Sequence, residues 1–346
     1  MILRRARRLG QDLGQSGIAL ALGFLVGAIL MYIFQYDPLT AYPALLRGGF
    51  GGSVELLETF AFATPLMLTA ITFAVGIKGG LFTIGAEGQM YLGAIGAVAV
   101  GGALTLPAGI HVVAATGAAM LLGAAWAIPA ALLKMFRGVH EVVSTIMLNF
   151  IAFWLTTFLV TYQLGEPGRA ERAVPAQATA RYDILGATLT DVFFVAIGFA
   201  IVIFVLLWRT RIGYEVRLVG DSPQAARYAG ISARKTALVS FVIGGLAAGL
   251  AGATQILGRP PSWTLFATLG NVATLGFEGI GVALIARNHP IAAIFAAIFY
   301  GGLLNGGRLM EYEAAVATEL VRAINGILII ALAVPAVFQL VRRRRT

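Results

Sequence analysis

The sequence predicts an all-α, polytopic membrane protein of about ten transmembrane helices, in two inverted five-helix halves with both termini cytoplasmic. Three observations carry this expectation. Of the 346 residues, 59% are hydrophobic and only 12% are charged, whereas a soluble protein carries about 25% charged residues. Apolar runs close to the ~20 residues that cross a bilayer recur along the chain. Finally, the string Thr-Ile-Gly-Ala-Glu-Gly from Thr83 to Gly88 returns as Thr-Leu-Gly-Phe-Glu-Gly from Thr274 to Gly279. Each copy sets one carboxylate, Glu87 or Glu278, among glycines and against apolar sequence, where a carboxylate is costly and is kept for a reason.

The remaining composition excludes several function classes. There is no cysteine, which removes disulfide frameworks, thiolate metal sites and cysteine nucleophiles. The three histidines are scattered and make no metal site. The formal charge of +9 is read as the positive-inside bias of a membrane protein rather than as a nucleic-acid surface.

Ten segments are expected to span, at 17–36, 55–77, 82–103, 108–133, 142–164, 190–208, 237–257, 271–286, 290–306 and 319–341. The first follows arginines at 4–8 and resembles a signal peptide. It is nevertheless long enough to cross, and no small-residue cleavage site follows it, so it is read as a retained helix. The third and eighth are short or broken by glycine, and they hold the repeated string. With the termini inside, 18 Lys and Arg fall in inside segments and six outside, the bias that orients such proteins. The arginines at 4–8 and 342–345 are read as anchors at an anionic leaflet. The two strings lie five spans apart, and an odd offset inverts one half relative to the other. In inverted repeats the substrate path forms near the repeat interface at mid-membrane. The whole of 1–346 is thus one transmembrane domain. Half one covers about 17–164 and half two about 190–341, and the polar external segment 165–190 divides them.

Glycines at 76, 79, 80, 85, 88 and 93 surround the first copy and weaken a continuous helix there. The backbone groups freed by such a break need protein partners or a water-lined cavity. Glu87 and Gln89 are therefore path candidates, with Glu278, Asn271, Asn149 and Asn305 beside them. Against this stands the reading of Glu87 as a buried hydrogen-bonding strut and of the asparagines as interhelical glue. The second copy has Ile280 where the first has Gln89, which implies unequal roles. Gly23/Gly27, Gly245/Gly249 and Gly302/Gly306, each pair four apart, are read as close helix contacts. Glu319 and Arg322 are expected to pair.

The cytoplasmic loop at about 209–236 contains Gly220-Asp-Ser-Pro-Gln-Ala-Ala-Arg-Tyr-Ala-Gly230. Asp221 or Ser222 can cap a helix there, Pro223 suits its first position and Gly230 its end. The expected product is a helix of about two turns that presents Ala226, Arg227 and Tyr228. It serves either as a docking element for a cytoplasmic partner or as an interfacial helix on lipid headgroups.

The string from Gly76 to Gln89, Gly-Ile-Lys-Gly-Gly-Leu-Phe-Thr-Ile-Gly-Ala-Glu-Gly-Gln, resembles the hallmark of ABC importer permeases of the sugar, nucleoside and branched-chain amino-acid group. The nucleoside type is the most similar. The loop from Gly220 to Gly230 is similar to the coupling segment of the same permeases. The resemblance implies a transport subunit rather than an enzyme, in the bacterial cytoplasmic (inner) membrane. It also implies three protein partners: a cytoplasmic ABC ATPase that binds ATP and Mg, a second permease subunit, and an extracytoplasmic solute-binding protein. By the match, Asp221, Ser222, Pro223, Ala226, Arg227, Tyr228 and Gly230 contact the ATPase. No cofactor is expected in this chain, and no Gly-x-x-x-x-Gly-Lys-Ser/Thr phosphate loop occurs in it. The alternatives are a sugar or branched-chain amino-acid permease, and, from a different class, a proton-coupled secondary transporter using Glu87 or Glu278. For a nucleoside, Phe82, Tyr91, Asn149 and Phe277 are the stacking and polar candidates.

Overall fold

Glycine decides where helices can touch in this chain, and it does so at every contact expected from the sequence. In the computed structural model, the backbone is described for residues 2–343 and the side chains for 17–332. The arginines at 4–8 and 342–345, expected as leaflet anchors, lie outside the described side chains. The helices are α1 (Ile2–Ile33), α2 (Pro38–Phe50), α3 (Ser53–Lys78), α4 (Ala86–Gly101), α5 (Ile110–Arg137), α6 (Glu141–Tyr162), α7 (Val192–Arg209), α8 (Arg211–Asp221), α9 (Pro223–Tyr228), α10 (Ala233–Leu257), α11 (Leu275–Ile285), α12 (Pro290–Glu313) and α13 (Thr318–Arg343).

All ten expected segments fall on helices. Six of these, α3, α5, α6, α7, α10 and α12, are long and apolar enough to cross a membrane among the described residues. The third and eighth segments are shorter than expected. The 16 residues of α4 extend ~24 Å and the 11 of α11 only ~16 Å at 1.5 Å per residue, against a hydrocarbon core of ~30 Å. Each follows a non-helical stretch, at 79–85 and 258–274 respectively.

Three features went unexpected. Helix α2 is an added element with a Pro43 interruption, capped by the Asp37 carboxylate accepting from Leu39 N. Helix α8 precedes the short helix foreseen in the cytoplasmic loop. The polar segment 165–190 folds into two small antiparallel hairpins, β1 (Gly165–Glu166) with β2 (Arg169–Ala173) and β3 (Ile184–Gly186) with β4 (Leu189–Thr190). One expected contact is absent: Glu319 and Arg322 do not come within ion-pair distance. Both are exposed, and an exposed pair gains too little to hold two long side chains together.

The chain forms two compact units, residues 1–59 with 299–346, and 60–298. In the first, Gly23 and Gly27 of α1 face Leu328 and Ile324 of α13, while Gly48 and Gly49 of α2 lie on Gly306 and Gly302 of α12. Asn305 donates from Nδ2 to the carbonyls of Gly48 at 2.8 Å and Glu55 at 3.1 Å.

In the second unit, α4, α5 and α10 pack backbone against backbone. A Cβ placed on Gly93 would lie 2.5 Å from the Gly249 Cα, and one on Gly245 would lie 2.6 Å from the Ala124 Cα. Small residues at such crossings let helices approach without a hydrophobic drive between them. Two ends of this unit follow from its contacts. One gathers the ends of α3, α5 and α7, the starts of α6 and α10, and α8 with α9. The other gathers both hairpins, with Val174 N on Leu164 O, Tyr182 N on Leu257 O and Ala173 N on Leu265 O. Helix α4 runs from the first end toward the second and α11 from the second toward the first, so the two copies of the repeat are inverted.

Replacing Gly249 with leucine is expected to break the α4–α5–α10 contact, since backbone atoms rather than a movable side chain stand in the way. The cost exceeds the ~1–3 kcal/mol of ordinary overpacking. Size-exclusion of the detergent-solubilised protein should show loss of the folded peak, while Gly198→Ala on α7, with open space around it, should retain it.

Candidate functional site

The two interrupted stretches meet, and the carboxylate of the first copy joins them. Glu87 lies in the first turn of α4 and is buried. Its Oε1 accepts from Thr274 N at 2.5 Å and its Oε2 from Gly276 N at 2.7 Å and Phe277 N at 3.2 Å. The Tyr91 hydroxyl, one turn along α4, donates to Oε1 at 2.5 Å. The first amides of a helix have no partner within it, and those of α11 would otherwise stand unsatisfied in apolar surroundings. Glu87 is thus an N-terminal cap supplied in trans from the opposite repeat. Four donors converge on an acceptor-only group, and the positive end of α11 faces its negative charge. Gly276 has to be glycine here, because a Cβ would overlap the Glu87 backbone. Thr69 of α3 closes the same site by donating to Leu275 O at 3.0 Å.

The break before α4 is satisfied differently, by one face of α6. Glu141, Thr145 and Asn149 stand four residues apart and therefore line up along the helix. Glu141 Oε1 accepts from Phe82 N at 3.1 Å, and Thr145 Oγ1 accepts from Ile84 N at 3.3 Å. Asn149 accepts from Gly88 N at 2.9 Å through Oδ1 and donates to Ile84 O at 2.9 Å through Nδ2. Lys134 holds the other Glu141 oxygen at 2.7 Å. This ladder was legible as a spacing of polar residues on one helix, although only Asn149 was singled out from the sequence.

Of the other site candidates, Glu278 stands beside this site and the rest have surroundings of their own. Asn271 locks the 258–274 stretch by donating to Thr264 O at 2.8 Å. Asn305 belongs to the first unit. Gln89 is buried beside Thr72, Thr83 and Ser240. Glu278 accepts from the Thr274 hydroxyl at 3.2 Å. Thr274 and Phe277 are exposed on the first turn of α11, and Phe82 is exposed in the first stretch. Among the described residues no cluster of three His, Cys, Asp or Glu could hold a metal.

The loop helix forms as foreseen, with one refinement. Ser222, not Asp221, caps α9: its Oγ accepts from Ala225 N at 3.3 Å. Pro223 is the first residue and Gly230 takes φ +73° beyond the end. Ala226 is fully buried while Arg227 and Tyr228 point outward, the tyrosine 94% exposed.

A family model described as branched-chain amino acid transport system / permease component matches residues 56–333. The chain belongs to this permease family. The permease is 34% identical over 319 residues to the guanosine ABC transporter permease protein NupP of Bacillus subtilis, covering 90% of each chain. It is 32% identical to the nucleoside ABC transporter permease protein NupB of Lactococcus lactis, over 93% of this chain and 91% of that one. A third relative, the glucose ABC transporter permease protein TsgB13 of Haloferax volcanii, is 30% identical over 88% of this chain and 83% of its own. The permease is accordingly a multi-pass membrane protein and a transport subunit.

A glutamine at position 87 would turn an NH2 group toward backbone donors. Glu87→Gln is expected to cost about 1–3 kcal/mol, and Tyr91→Phe, which removes one donor of four, about 0.5–1.5 kcal/mol. Thermal unfolding in detergent should rank the midpoints wild type, Tyr91→Phe, Glu87→Gln. Equal midpoints for all three would contradict the cap.

Proposed function

We propose that this permease forms half of the translocation path of an ATP-driven ABC importer for nucleosides. The observation that carries the reading is the similarity, over about nine-tenths of each chain, to relatives named for guanosine and nucleoside transport. The chemistry around α11 fits such a solute. Phe277 offers an aromatic face for a base, and Thr274 and Glu278 beside it offer hydrogen-bonding groups for a ribose. In this reading ATP hydrolysis belongs to a separate cytoplasmic ATPase. A second permease subunit completes the path, and an extracytoplasmic binding protein delivers the solute. The more basic end of the second unit, with α8 and α9, faces the cytoplasm, and the membrane is the bacterial inner membrane.

Helix α9 is the ATPase contact. Its outward side chains Arg227 and Tyr228 are the ones a partner would touch. Asp221, Ser222, Pro223 and Gly230 set the helix ends, and buried Ala226 seats the helix on the permease. Simple sugars are the second reading, favoured by the relative named for glucose.

The complex, co-expressed with its neighbouring genes and reconstituted in liposomes, is expected to take up tritiated guanosine with ATP. Excess uridine or adenosine should compete and glucose should not. Competition by glucose alone would favour the sugar reading. Uptake by this chain by itself on a proton gradient would replace the importer with a secondary transporter. Arg227→Glu should reduce co-purification of the ATPase while the permease still inserts.

A further inference from the structure

Helix α8 touches the first interrupted repeat directly and approaches the second through Trp208 of α7, at two points of different chemistry. The first is steric. Gly220, in its last turn, lies against the turn that begins the 79–85 stretch, and a Cβ there would strike the Lys78 carbonyl oxygen and come within 2.9 Å of the Gly80 amide nitrogen. Gly80 itself has φ +74° and faces the Gly220 Cα, so this is a backbone-on-backbone seat with no side chain to cushion a shift. The stretch it presses leads through the α6 ladder to the start of α4.

The second point is aromatic. Trp208, near the end of α7, has its ring 4.8 Å from that of His289, in the turn between α11 and α12, and 5.3 Å from that of Phe204. Arg217 of α8 lies 5.7 Å from the Trp208 centroid and Lys78 of α3 lies 5.9 Å from it. Arg217 also donates to Leu207 O at 3.0 Å. Burial, with Lys78 nearby, holds the His289 imidazole below its ordinary pKa. The two cations, Lys78 and Arg217, stand over Trp208, whose π-face attracts them. Through Trp208, α8 is joined to the exit of α11.

We propose that Gly220 and Trp208 are positioning residues that link the α8–α9 pair to the two interrupted helices, so that displacement of α9 reaches both repeats together. The proposal rests on the reading of α9 as the ATPase contact. Neither residue is exposed on α9, and neither touches the α11 surface assigned to solute. They act between the two: one transmits compression through contacting backbone, the other keeps the α11–α12 turn in step through the tilted contact of the Trp208 and His289 rings. Packed interfaces of this kind shift between discrete arrangements rather than deforming smoothly.

The test uses the whole complex in liposomes, with tritiated guanosine and ATP. Three quantities are read: ATPase retained on the purified permease, ATP hydrolysed, and guanosine taken up per ATP. Gly220→Ala and Trp208→Leu are expected to retain the ATPase and its hydrolysis, while uptake per ATP falls about tenfold. Trp208→Phe, which keeps a ring, should recover most of it. If Gly220→Ala fails to insert, the tryptophan pair carries the test alone. Uptake per ATP unchanged in Trp208→Leu overturns the proposal, as does a loss of uptake that only tracks the amount of ATPase retained. Arg227→Glu separates the two claims: full ATPase retention in that variant defeats the docking reading, whatever the joint variants do.

Discussion

A helix that begins inside a membrane protein presents amide donors that its own turns cannot satisfy, and α11 solves this with a carboxylate from elsewhere in the chain. Glu87 binds three of those amides. An unmatched buried carboxylate and a set of unmatched amides are each unfavourable, yet together they cancel. Because the two come from residues nearly two hundred apart in sequence, the local satisfaction of one helix end also fixes the approach of the two repeats. The glycine at 276 follows from this capping interaction, and Thr69 of α3 closes the same site.

The inverted copies are alike in design and unlike in detail. Both place a glutamate in the first turn of a helix that follows a non-helical stretch. In the first copy that glutamate reaches across to the other helix, while its own helix start is satisfied by Asn149 and the α6 ladder. In the second, Glu278 remains beside Thr274. The same residue type therefore serves packing in one copy and leaves a polar group near an exposed helix face in the other.

Much of this was legible in the sequence, and the limits have physical causes. Apolar length located ten helical segments, since burial in lipid demands it. Glycine spacing located three helix contacts, because only glycine permits backbone approach at those crossings. The helix at 223–228 was legible from local capping chemistry. What escaped depended on long-range pairing: that Glu87 meets the amides of 274–277 is set by the crossing of two repeats, and no local pattern near Glu87 names them. Helix α8 is amphipathic and charged, so hydropathy passed over it. Helix α2, interrupted by proline and two glycines, gave no span signal. The hairpins at 165–190 are held by neighbours such as Leu265 rather than by strand propensity. Among the site candidates, Asn149, Asn271 and Asn305 each hydrogen-bond to main chain, which residue type alone could not distinguish from a solute contact.

The stretch leading into α11 has a further mechanical character. Near one end of the unit it is hydrogen-bonded to the first hairpin through Thr264, Leu265 and Ala267. A few residues later it is held by Glu87. Between these two anchors the chain is folded on itself in turns, with Leu269 N on Phe266 O and both Val272 N and Ala273 N on Leu269 O. The hairpin face and the buried carboxylate are therefore bridged by a short segment bonded to both and to itself, not by an open loop.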